Sequence, residues 1–148
     1  MTSIPRRGRI LALDWGELRF GIARSDETQV LASPLTTLTR RAGKRFPMPR
    51  FLALLDADPV VGVVVGLPID LEGRETGSSS AARALAALVG ERTGLPVEMA
   101  DERFTTSIAL DAIREMGGTT RGRKEDVDAL AATVLLQQYL DHRRSMSA

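Results

Sequence analysis

Asp14, Glu102 and Asp128 stand where folding alone explains a carboxylate poorly. Asp14 ends the apolar run Arg9-Ile-Leu-Ala-Leu-Asp14 and opens a turn through Trp15 and Gly16. Glu102 closes a second short apolar run, Val97-Glu-Met-Ala-Asp-Glu102. Asp128 falls near the start of a helical pattern, on the face it shares with Ala131, Ala132, Leu135 and Tyr139 at steps of three and four. A carboxylate on a packing face is costly unless it is paired or binds a metal. Three such acids at element ends point to a hard divalent cation, which prefers oxygen ligands. Two cations about 3.5–4 Å apart, held by several carboxylates, are an apparatus for phosphodiester hydrolysis. Asp14 would bridge them, with Glu102 and Asp128 completing their shells. Lys124, one helical turn before Asp128, can neutralise phosphate or tune a bound water.

Each residue also has an ordinary reading. Asp14 can be a turn acid that caps nearby amides. Glu102 can pair with Arg103 or Arg19, Asp128 can answer the helix dipole, and Lys124 can be an exposed lysine. The weight lies in all three acids meeting at one place.

The rest of the composition narrows the chemistry. There is no cysteine, which excludes disulfides, thiolate metal sites and cysteine nucleophiles. The single histidine, His142, lies in a charged C-terminal stretch, so a Ser-His-Asp arrangement is not expected. A net charge of +1 does not announce a nucleic-acid binder, but the distribution says more. Of 20 basic residues only Lys44 and Lys124 are lysines. Half of the eighteen arginines cluster at Arg6/Arg7/Arg9, at Arg40/Arg41/Arg45/Arg50 around Lys44, and at Arg121/Arg123 before Lys124. Such clusters are often solvated, yet arginine grips phosphate in a bidentate way that lysine cannot. Arg19, Arg40, Arg41, Lys44, Arg45, Arg121 and Arg123 are the candidate nucleic-acid contacts.

The elements must bring these residues together. At 148 residues the chain reads as a single domain spanning 1–148. Residues 9–14 and 19–25 read as strands joined by a tight turn, and 30–38 as a weaker third strand, placed at an edge by Pro34. A basic stretch, 40–50, is the expected mobile loop, followed by helical spacing at Phe51, Leu52, Leu54 and Leu55. The valine-rich run 60–66 suits a parallel strand buried on both faces. A Gly/Ser loop over 72–80 leads to an alanine-rich helix ended by Gly94 and Pro96, then a fifth strand at 97–100. Thr105 or Thr106 can cap a helix running to Met116, and a last helix spans about 125–141. This order implies an α/β fold, a mixed five-stranded sheet in the order 3-2-1-4-5 with helices on both faces. In such sheets a ligand site lies off the carboxyl ends of strands. Asp14 and Glu102 lie at two of those ends.

The stretch Asp14-Trp-Gly-Glu-Leu-Arg-Phe-Gly-Ile-Ala-Arg-Ser-Asp26 resembles the opening motif of the YqgF/RuvX family. The similarity continues at Val65-Gly-Leu-Pro68, at Asp101-Glu-Arg-Phe-Thr-Thr106, at Lys124-Glu-Asp-Val-Asp-Ala-Leu-Ala-Ala132 and at Leu136-Gln-Gln-Tyr-Leu140. It covers residues 8–143, with Phe104 and Asp126 as small departures. The resemblance implies an RNase H-like fold with Asp14, Glu102 and Asp128 as active acids and Mg²⁺ or Mn²⁺, two ions, as cofactor. It also implies a metal-dependent endonuclease that processes the 5′ end of pre-16S rRNA in ribosome biogenesis, with a Holliday-junction resolvase as the alternative. The partners so implied are pre-16S rRNA or a pre-ribosomal particle, and branched DNA on the alternative, acted on by a monomer or homodimer.

Two other classes compete. The D-x-G-x-x-x-x-G pattern at Asp14 also resembles the first phosphate loop of actin-like ATPases, but those need two such domains and no Walker-type lysine motif appears. A non-catalytic RNA-binding assembly module would gain nothing from carboxylates beside phosphates, and aromatic residues, at 4%, are too few for base stacking. No apolar stretch approaches membrane-spanning length and no signal peptide is evident, so a cytoplasmic protein without a membrane partner is expected.

Overall fold

The computed structural model describes residues 3–16, 18–41, 43–68, 72, 74, 76–101 and 124–147. Five strands form one sheet in the order β3-β2-β1-β4-β5. They are β1 (Ile10–Asp14), β2 (Arg19–Ser25), β3 (Ala32–Thr39), β4 (Gly62–Leu67) and β5 (Val97–Asp101). The first three form an antiparallel meander, whereas β4 and β5 run parallel to β1. The expected order of strands is the observed one. The expected helix over 105–116 lies outside the described residues.

Period-two alternation splits the apolar residues between two faces. Leu11, Leu13, Phe20, Ile22, Val63 and Val65 pack with α1 (Met48–Ala57) and α2 (Gly77–Thr93). Ile10, Ala12, Ala23 and Val64 pack beneath α3 (Lys124–Ser147), whose Ala132, Leu135, Leu136 and Leu140 are buried there. Small residues under α3 let that helix lie close to the centre of the sheet. Both faces of β1 and β4 are therefore covered, as continuous apolar strands require.

Boundaries shifted where local hydrogen bonding outweighs the hydropathy pattern. The third strand begins at Ala32 and not at Val30, because the Asp26 carboxylate captures the amides of Val30 and Leu31 at 2.8 and 2.9 Å. Gln29 supports that turn with a φ of 59°. As expected, β3 is an edge strand, and its register slips by a residue beside Pro34. α1 starts at Met48, inside the stretch expected to be loop, because Pro49 sits in the first turn, where its missing N–H costs nothing. α2 starts at Gly77, inside the expected Gly/Ser loop, where Thr76 and Ser79 form a capping box. Gly94 ends α2 in the left-handed conformation that favours glycine. The basic segment is anchored at both ends. The Arg40 amide bonds the Leu18 carbonyl at 2.8 Å, and the Phe46 ring meets Phe20 edge-on at 4.8 Å. α3 is longer than expected because Arg143 and Arg144 tie its last turns to the chain around Pro5 and Gln29.

Candidate active site

Asp14 is the last residue of β1, the central strand of the sheet, and is half-buried. Its neighbour across the antiparallel ladder is Gly21. Directly paired residues of such a ladder project to the same face. One step back in this alternation, Ala12 and Ala23 are also partners, and both lie in the cluster beneath α3. Asp14 therefore projects toward α3.

The same face receives Asp128. A Cβ built on Gly21 would fall within the Asp128 carbonyl group and 3.1 Å from the Ala129 nitrogen. The main chain of α3 thus rests on β2 at the one position lacking a side chain, opposite Asp14. The Asp128 side chain is half-buried, 27% exposed, and Arg19 Nε donates to its Oδ2 at 2.6 Å. The buried carboxylate expected on this face is in fact partly solvated and already paired, which lowers its desolvation cost. Arg19 starts β2 two residues before Gly21 and shares its face. Asp14, Arg19, Gly21 and Asp128 therefore converge at the carboxyl end of β1.

The other candidates divide. Glu102, Arg121 and Arg123 lie outside the described residues, although Glu102 follows directly on Asp101, the last residue of β5. Lys124 is the first residue of α3, one turn before Asp128. Arg41, Lys44 and Arg45 are exposed, while the Arg40 guanidinium donates to the Lys44 carbonyl at 2.9 Å and holds the turn closed. This basic turn adjoins the site, because Arg19 and Thr39 are register partners and Arg40 bonds Leu18. His142 is exposed, fourteen positions along α3 from Asp128. A cavity of about 400 Å³ lined by Arg6, Glu98, Tyr139 and Arg143 lies toward that far end of the helix. It is separate from the acids.

Oxygen donors suit Mg²⁺ or Mn²⁺. Among the described residues no cluster of three or more acidic or histidine side chains forms a complete metal cage, and the described residues supply two of the three expected acids. The donor chemistry of Asp14 and Asp128 suits such a cation, and Glu102, the third acid expected from the sequence, lies outside the described residues. Sequence reasoning missed the contact role of Gly21 and the pairing of Arg19 with Asp128. A glycine opposite Asp14, on the face the alternation assigns to a helix, was the available signal for the first. Among the described residues no helix is long and apolar enough to cross a membrane.

Comparisons with known proteins show the fold and the family. A relative from Mycobacteroides abscessus, named "Putative pre-16S rRNA nuclease", is 40% identical over 141 residues, 95% of this chain and 85% of its own. One of the same name from Koribacter versatilis is 40% identical over 136 residues, 92% of this chain and 88% of its own. Among solved structures, Thermus thermophilus RuvC in complex with a Holliday junction substrate superposes with a TM-score of 0.56 at 16% identity, covering 92% of this chain and 95% of that one. That similarity shows a shared RuvC-like, RNase H-type fold. The family described as "RuvX: Holliday junction resolvase" matches residues 8–142, and this chain belongs to it.

Proposed function

We propose that this chain is a metal-dependent endonuclease that cuts precursor 16S rRNA near its 5′ end, working in the cytoplasm during ribosome biogenesis. One observation carries the reading: Asp14 and Asp128 converge on a single sheet face at the carboxyl end of β1, held there by Gly21. Asp14, Asp128 and Glu102 would hold Mg²⁺ or Mn²⁺. Bound there, a pair of such cations supplies an activated water and stabilises the leaving 3′ oxygen. The chain's own residues do the rest. Asp14 projects from the rigid central strand, which fixes its position better than a loop would. Lys124, at the start of α3, supplies a cation for the phosphate. The exposed Arg41, Lys44 and Arg45 offer a path for the backbone away from the acids, consistent with recognition by shape and charge.

The relatives' names support the RNA substrate. The family description and the shared RuvC-like fold support a second reading, resolution of a four-way DNA junction. Side-by-side cleavage of a structured 16S precursor 5′ region and a four-way junction separates them. Each is run with Mg²⁺, Mn²⁺ or EDTA, and with Asp14→Asn as control. Metal-dependent RNA cutting that disappears in the variant is the expected result. Junction cutting alone would make the protein a resolvase, and cutting that persists in the variant would sink the metal-site reading.

A further inference from the structure

We propose that Arg19 serves the acid and the substrate at once: its Nε orients Asp128, and its terminal amino groups grip a phosphate oxygen beside the bond being cut. This deepens the nuclease reading and rests on it. A guanidinium presents five N–H groups in a rigid planar fork. Here Nε is spent on Asp128 Oδ2 at 2.6 Å. Among the described residues neither terminal amino group of Arg19 has a second partner, and the side chain is 42% exposed. The fork is thus fixed at its inner edge and open at its outer one.

The carboxylate is divided in the same way. Oδ2 belongs to Arg19, while Oδ1 makes no hydrogen bond or ion pair among the described residues. A charge-assisted bond to one oxygen sets the rotation of the group and leaves the other available to a cation. Carboxylates that hold metals are commonly oriented by such a partner. The placement of Arg19 also suits a phosphate. It lies between the acids and the basic turn, since Thr39 is its register partner and Arg40 is bonded to Leu18. A strand crossing from the acids to Arg41, Lys44 and Arg45 would pass over the outer edge of Arg19. Lysine cannot replace it, because one ammonium point charge cannot hold a carboxylate and present a planar fork together.

The test uses two readouts. The first is binding of an RNA hairpin with a single-stranded 5′ extension, in EDTA, by Asp14→Asn protein over a range of salt. Arg19→Gln is expected to lower the slope of log affinity against log salt by about one, and Arg19→Lys to restore it. The second is cleavage with Mn²⁺, where Arg19→Lys is expected to lose kcat while KM stays near wild type, because the hold on Asp128 is gone. Equal melting temperatures would show that all variants fold. An unchanged salt slope in Arg19→Gln, or an unchanged kcat in Arg19→Lys, overturns the dual role. If Arg19 variants cut like wild type while Asp14→Asn is dead, this inference fails and the nuclease reading stands. If no cutting of RNA or junction occurs but the Arg19→Gln slope falls, the nuclease reading fails and the phosphate contact stands.

Discussion

Gly21 lies against the Asp128 carbonyl, so β2 and α3 touch backbone to backbone at the position facing Asp14. The contact decides how near α3 can come to the end of β1, and therefore how near the two acids can stand. Ala12 and Ala23 continue the same low surface beneath the helix, with Ala132 above them. The small side chains are the reason that a helix carrying Asp128 can approach a strand carrying Asp14.

Gly21→Ala should therefore be far more harmful than an ordinary glycine replacement in a strand. The new methyl group cannot be absorbed by a rotamer change, because what it meets is main chain. Overpacking of this kind costs about 1–3 kcal/mol. The start of α3 must also move, carrying Asp128 away from Asp14. We expect a lower melting temperature and a loss of cleavage that persists well below the new melting point. Full activity in a destabilised Gly21→Ala protein would show that this approach does not set the site.

Asp14→Asn tests the chemistry with the packing held constant. The substitution is isosteric, and Gly21, the residue across the ladder, has no side chain to be disturbed by it. Cleavage should be abolished, with the melting temperature and most RNA affinity retained. Addition of EDTA to the wild type should produce the same loss, and excess Mg²⁺ or Mn²⁺ should reverse that loss but not the variant's.

The strands, their order and the end of the sheet that carries Asp14 were legible because alternation and β-branched runs are local signals. Asp14 could be singled out as a candidate because charge at the end of an apolar run is locally anomalous, and Asp128 because it shares a helix face with apolar residues. The pairing of Arg19 with Asp128 was not, since the two are 109 residues apart and meet only through the crossing of α3 over β2. Arg19 read as one more phosphate contact for that reason. Gly21 likewise looked like an ordinary small residue until the helix above it was in place. At Val30 and Leu31 apolar character suggested strand, but the Asp26 side chain competes for their amides, and hydropathy carries no trace of that bond.

Asp26 gives the fold a defined acid response. The Leu31 amide, the Thr28 hydroxyl and the Val30 amide all donate to its carboxylate and hold its pKa at about 2, against an ordinary 3.8. A depressed folded-state pKa stabilises the protein above the unfolded value, and that contribution is lost as pH falls through the folded one. The stability gap between wild type and Asp26→Asn should be constant above pH 3.8 and shrink between there and about 2. Urea titrations across that range measure it. A gap that does not narrow toward low pH would mean that the charge of Asp26 is not what holds the turn before β3.

The basic turn should carry affinity and not chemistry. Arg41, Lys44 and Arg45 are exposed, whereas Arg40 holds the turn closed through the Lys44 carbonyl. Changing only the three exposed residues to alanine removes charge and leaves that bond in place. RNA binding should weaken, and its log–log salt slope should fall by about one for each phosphate that is no longer neutralised. The kcat on saturating RNA should stay near wild type, because no acid has moved. Arg40→Ala alone should behave differently, loosening the turn and lowering affinity by more than one charge accounts for. An unchanged salt slope in the triple variant would return this turn to a solvated surface feature and leave Arg19, paired with Asp128, as the cation to test next.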